Sequence, residues 1–132
     1  MPNSLAVRDL METEYVTLKP DMAITEAVCI LMEQRVTGAP VVDEEGRVIG
    51  LLAEKQCLTS LLNGAYDQMP TGIVKEFMLQ DFVAVPPDMG VFELAELFVK
   101  EVIRRFMVIE DGKLVGQITR RDLLRGIKQY WV

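Results

Sequence analysis

Shifted against itself by 67 positions, the chain lays VRDLMETEYVTLKPDMAITEA (7–27) over VKEFMLQDFVAVPPDMGVFEL (74–94) without a gap. Val7 and Val74, Met11 and Met78, Val16 and Val83, Glu26 and Glu93, and Val41 and Val108 coincide, as do Pro20-Asp21-Met22 and Pro87-Asp88-Met89. One residue is missing from a turn of the second copy. Beyond it the offset is 66, and Gly46/Gly112, Gly50/Gly116 and Leu58/Leu124 coincide. Self-similarity at this length means a duplicated structural unit. The first repeat is assigned to residues 1–63, a linker (GAYDQMPTG) to 64–72, and the second repeat to 73–132.

Each repeat reads as β-α-β-β-α, an α/β (α+β) tandem with pseudo-two-fold character. A short helix around VRDLM or VKEFM leads into a strand, YVTL or FVAV. Pro-Asp breaks the chain and starts a helix, ITEAVCILMEQR or VFELAELFVKE. A hairpin follows, APVVD-EEG-RVIGLL or FMVIE-DG-KLVGQI, and Asp111-Gly112 is a strong tight-turn signal. A last helix, EKQCLTSLL or RRDLLRGIKQY, closes the repeat, with Asn63-Gly64 as a helix stop in the first copy. Ala27–Met32 is an unbroken apolar run, and Phe92, Leu94, Ala95, Leu97, Phe98 and Val99 nearly match it. Helices apolar on more than one face must be buried on more than one side. The expectation is a homodimer joined through Leu31, Met32, Phe98 and Val99.

Composition removes many function classes. The chain has no histidine, which excludes Ser-His-Asp and Cys-His nucleophile systems, histidine bases and most catalytic zinc sites. Cys29 and Cys57 lack CxxC spacing and are expected to be core-packing thiols. A net charge of −6 argues against nucleic acid as a partner. No apolar run approaches the roughly twenty residues of a membrane span. MPNSLAVRDL shows no basic patch followed by an apolar stretch, so the reading is a cytoplasmic protein without a membrane partner. The charge is unevenly spread: residues 1–66 carry net −5 and residues 67–132 net −1. Arg104, Arg105, Arg120, Arg121 and Arg125 make the one basic cluster of interest.

The paired motifs APVVDEEGRVIGLL and RFMVIEDGKLVGQITRRDLL, with PDM before the first long helix of each copy, resemble the CBS domain pair, or Bateman module. The resemblance runs from about Val7 to Lys128. It implies a two-fold pseudosymmetric pair of repeats with two clefts between them. In many members these take adenosine-containing ligands such as AMP, ADP, ATP or S-adenosylmethionine.

The ligand pattern of that family stands here as Gly116-Gln117-Ile118-Thr119-Arg120-Arg121-Asp122. Thr119 begins a helix whose N-terminus offers unpaired N–H groups to an anion. Asp122 could accept from both hydroxyls of a ribose. Thr-x-x-Asp is equally close to a capping box, in which both side chains serve the helix itself. Arg104 and Arg105 precede the strand FMVIE, where the resemblance implies phosphate contact, and the planar guanidinium suits phosphate oxygens. They could equally be a solvated strand edge. Arg121 is favoured over Arg120 as a further phosphate partner. An adenine is expected near Phe82, Val83, Met107 and Ile118. The first repeat departs from this pattern: Thr37-Gly38 stands in place of the arginine pair, Ala53 in place of Thr119, and Gln56 in place of Asp122.

The expected function is a regulatory, non-catalytic module that binds an adenine nucleotide or adenosine derivative and needs no catalytic cofactor. The alternative is a ligand-free dimerisation or protein-interaction module whose regulated partner is not identifiable from sequence.

Overall fold

The computed structural model describes residues 5–131. In chain order the elements are α1 (Val7–Leu10), α2 (Ile24–Gln34), β1 (Gly38–Val42), β2 (Val48–Ala53), α3 (Glu54–Asn63), α4 (Val74–Phe77), β3 (Ala84–Val85), α5 (Val91–Lys100), β4 (Arg105–Glu110), β5 (Lys113–Thr119) and α6 (Arg120–Lys128). Both hairpins are antiparallel, β1 with β2 and β4 with β5, and β3 adds to β4 in parallel. The mixed helix-and-strand repeat read from the sequence is therefore present in both copies.

The compact units do not follow the sequence repeats. Val16–Phe82 forms one unit, and the chain up to Tyr15 packs with the chain from Val83 onward to form the other. The short helix of each repeat thus serves the sheet of the other. In the unit Val16–Phe82, Leu79 bridges the edge of β2 at Leu51, with N–H···O bonds of 2.8 Å in both directions. In the other unit Glu12 takes the matching place against Gln117, at 2.8 and 3.0 Å. This arrangement accounts for the coincidence of Gly50 with Gly116. A Cβ at Gly50 would lie 2.6 Å from the Met78 sulfur, and one at Gly116 would lie 2.6 Å from the Met11 sulfur. Only glycine lets the added segment lie that close to the sheet.

The cores correspond residue for residue. Val7, Val91, Leu94, Phe98, Phe106, Val108 and Ile118 are buried in one unit, where Val74, Ile24, Ala27, Leu31, Ala39, Val41 and Leu52 are buried in the other. Alternation along the strands turns these residues inward. The second-repeat core carries two extra rings, because Phe98 and Phe106 stand where the first repeat has Leu31 and Ala39. Their centroids are 4.7 Å apart and the planes are tilted by 46°.

Three expectations are corrected. YVTL does not form a strand: Leu18 alone bridges Val41, whereas FVAV yields β3. Continuing that parallel ladder to Val16 requires an N–H from Pro40, which proline lacks; the second repeat has Met107 there, and its ladder continues through Ala84. Cys57 is buried as expected, but Cys29 is exposed, because the apolar run wraps past the buried stripe of α2. Leu31 and Phe98 are core residues rather than interface residues, while Met32 and Val99 are exposed.

The turn readings hold. Asp111 (φ 54°) and Gly112 (φ 80°) both occupy the left-handed region, as a two-residue hairpin loop of this hand requires. α3 ends at Asn63, and the Gly64 N–H bonds the Ser60 and Leu61 carbonyls. Among the described residues no helix is long and apolar enough to cross a membrane, and no group of three or more His, Cys, Asp or Glu residues could hold a metal ion.

Candidate functional site

The candidate site is the junction where β5 runs into α6. Thr119 closes β5 in extended backbone (φ −104°, ψ 167°) and is the N-cap of α6. Its hydroxyl accepts from the Asp122 N–H at 3.1 Å, and Asp122 Oδ2 accepts from the Thr119 N–H at 2.9 Å. This is a complete capping box. Asp122 is buried, and its second oxygen, Oδ1, faces the Arg125 guanidinium at 3.4 Å.

Reaching back from the third helical residue to the N-cap N–H recurs at four of the six described helix starts, all but α2 and α5. Asp9 does it for Ala6 at 2.8 Å, Gln56 for Ala53 at 3.0 Å, and Glu76 for Ile73 at 2.8 Å. Of these four helix starts, α6 alone has the reciprocal bond from an N-cap hydroxyl, because Ala6, Ala53 and Ile73 have no side-chain oxygen. The cap reading of Thr-x-x-Asp is thus correct as geometry. It accounts for Oδ2 of Asp122 and leaves Oδ1 to Arg125.

Arg105 opens β4 directly opposite Thr119, half-buried, and the next pair on the same sheet face is Met107 with Gln117. Met107 and Gln117 are both buried. Arg104 precedes the strand and is exposed. Arg121 is also exposed and shares a shallow recess of about 370 Å³ with Leu124, Arg125, Lys128 and Trp131 on the outer stripe of α6. It is Arg125, one turn further along, that meets Asp122.

The expected adenine residues divide. Val83, just before β3, is 39% exposed and available. Phe82 is half-buried at the end of the unit Val16–Phe82. Ile118 is corrected: fully buried and paired with Phe106 across the hairpin, its side chain belongs to the core and cannot line a ligand pocket.

Glu12 is a member that sequence reading missed. Bridged to Gln117 on the far side from Met107, it reaches the Asp122 carboxyl and the neighbourhood of Arg105 and Arg125. Partial desolvation against the sheet holds its carboxyl above the ordinary glutamate range. The Asp122 carboxyl adds to this, and Arg105 and Arg125 oppose it. The i, i+3 spacing of Asp122 and Arg125 on a helix was a usable signal for Arg125. Nothing in the local sequence marks Glu12, which arrives through the exchange of the opening segment.

At the equivalent positions of the other unit the side chains are Gly38, Ala53, Gln56, Thr59 and Leu79, where this unit has Arg105, Thr119, Asp122, Arg125 and Glu12. One junction carries four charges, and the other carries none.

Comparison with known proteins agrees with this architecture. The CBS domain description matches residues 7–63 and 74–129. The A-adding tRNA nucleotidyltransferase of Aquifex aeolicus is 33% identical over 125 residues, which cover 95% of this chain but 15% of that enzyme's length. The CBS domain-containing protein YhcV of Bacillus subtilis is 30% identical over 119 residues, covering 89% of this chain and 82% of YhcV. Among solved structures, the CBS-pair protein CBSX2 from Arabidopsis thaliana superimposes with a TM-score of 0.82 at 26% identity, covering 96% of each chain. A structure of CBSX2 in complex with AMP gives 0.81 at 26% identity, covering 96% of this chain and 98% of that one. The chain therefore belongs to the CBS domain family, with one CBS motif in each of its two repeats.

Proposed function

We propose that the chain is a regulatory module that binds an adenosine-type ligand at the β5–α6 junction and performs no catalysis. The observation that carries this reading is the difference between the two junctions. Folding needs only an acceptor at the third helical position, and Gln56 supplies that without charge. Arg105, Thr119 and the Asp122 Oδ1 that only Arg125 faces exceed what folding needs, and they match a ribose phosphate group by group. Oδ1 accepts from ribose hydroxyls once Arg125 turns aside. Arg105 forks onto phosphate, and the exposed Arg104 and Arg121 are the further phosphate partners to test. Val83 and Met107 offer the apolar side for the base. The similarity to CBSX2, solved with AMP, supports AMP as the first ligand to test, ahead of ADP, ATP and S-adenosylmethionine.

Such a module regulates by binding one state of itself or its host better than another. A thermal-shift panel of AMP, ADP, ATP, NAD and S-adenosylmethionine tests the reading, since a ligand of the native state raises the melting temperature by mass action. A panel in which no compound shifts the wild-type transition contradicts it.

A second reading, self-association, has its own observation. Met32, Leu58 and Leu62 on one unit and Phe92 and Val99 on the other are large apolar side chains left in water. Apolar helix faces of this kind favour a homodimer. A stable monomer in sedimentation at micromolar concentration contradicts it.

A further inference from the structure

We propose that Glu12 offsets the charge of the anion-binding arginines from the same sheet face and so sets the preference between phosphorylated and uncharged adenosine ligands. This rests on the ligand reading of the β5–α6 junction.

The sheet places Glu12 for the role. Residues opposite one another across strands share a face, and so do residues two apart along a strand. Met107, Gln117 and Glu12 form one such row, and Arg105 with Thr119 forms the next. The Glu12 carboxyl therefore lies on the face where Arg105 would hold a phosphate, and it also reaches Asp122 and Arg125 at the head of α6. Two carboxylates, Glu12 and Asp122, then balance two guanidiniums, Arg105 and Arg125. Without Glu12 the group is net positive. With Glu12 the group is neutral, and an incoming phosphate meets a carboxylate on the same face. The ordinary requirements of the fold do not explain an acid here, because the matching bridge in the other unit is made by Leu79 with the same backbone bonds. The raised proton affinity of Glu12 follows first from partial desolvation against the sheet and then from the neighbouring Asp122 carboxyl.

The experiment is calorimetric titration of AMP and of adenosine into the full chain, as wild type, Glu12→Gln, and Glu12→Gln combined with Arg105→Gln. Glu12 lies on the surface and bonds its neighbour strand through its backbone, so Glu12→Gln leaves the fold intact. The expected result is AMP binding roughly two- to fivefold tighter in Glu12→Gln, the scale of an exposed ion pair, with adenosine unchanged. The gain should shrink when Arg105 is also replaced. Equal change for AMP and adenosine, no change for AMP, or a full gain without Arg105 overturns the proposal while leaving the ligand site standing. Failure of both compounds to bind wild type and Glu12→Gln alike removes the ligand reading, and the proposal with it.

Discussion

The junctions Gly38–Ala53–Gln56 and Arg105–Thr119–Asp122 present the same backbone with different chemistry. In each, the first residue of one strand faces the last residue of the next, and a helix begins immediately after. In each, the third helical side chain takes the N-cap N–H. The difference separates the residues that fold the frame from those that arm it. Core positions are apolar in both copies, so they answer to packing. Arg105, Thr119 and Glu12 are polar in one copy alone, and Asp122 is charged where Gln56 is neutral, so packing does not explain them.

The largest test of this separation lies in the core. Phe106→Ala should cost about 3–5 kcal/mol, the range for truncating a buried aromatic, since it also leaves Phe98 without its partner ring. Equilibrium unfolding in denaturant measures it. A loss below 1 kcal/mol would mean that the two copies do not share a packing scheme.

Removing the reach-back acceptors comes next. Asp122→Ala should lose about 0.5–2 kcal/mol, and Gln56→Ala should fall at the low end of that range, because α6 loses a charged acceptor for the N-cap N–H where α3 loses a neutral one. Melting temperatures of the two variants, compared side by side, check whether the charged acceptor on α6 outweighs the neutral one on α3. The comparison can also be sharpened by addition. Ala53→Thr should complete the box on α3 and stabilise the chain by about 0.5–1 kcal/mol without creating a ligand site, since Gly38 and Gln56 still lack charge.

The smallest effect is in pH. The folded chain holds the Glu12 proton more tightly than the unfolded chain does. That stabilisation is fully present below the ordinary glutamate value of 4.5 and is lost as pH rises through the raised value. Glu12→Gln does not titrate, so its melting temperature relative to wild type should be more favourable at about pH 7 than at about pH 4. An equal difference at both pH values would show that Glu12 is unperturbed by its neighbours.

Much of this was legible in the sequence. The repeat offset gave the element order, Asp111-Gly112 gave the turn, and Thr119 with Asp122 gave the start of α6. What escaped reading depends on contacts made far along the chain. An apolar run such as Ala27–Met32 states that a helix is buried without stating which face, so Cys29 was misplaced inside and Leu31 outside. A strand signal in YVTL needs a partner with N–H groups to offer, and Pro40 withholds one. Alternation would have placed Ile118 on the face opposite Thr119 and Gln117, and so in the core. Glu12 was invisible because sequence proximity assigns it to the first repeat, whereas folding places it on the second-repeat sheet.

The account stands or falls on calorimetric titration of AMP into the wild-type chain and Asp122→Asn side by side. Asparagine keeps an oxygen for the Thr119 N–H, so the fold should be preserved while the charged acceptor for ribose is lost. The expected result is one strong site per chain in wild type, weakened about ten- to a hundredfold in the variant with its melting temperature little changed. Two equal sites per chain, or unchanged affinity in Asp122→Asn, would contradict the claim that one junction alone is armed for a ligand.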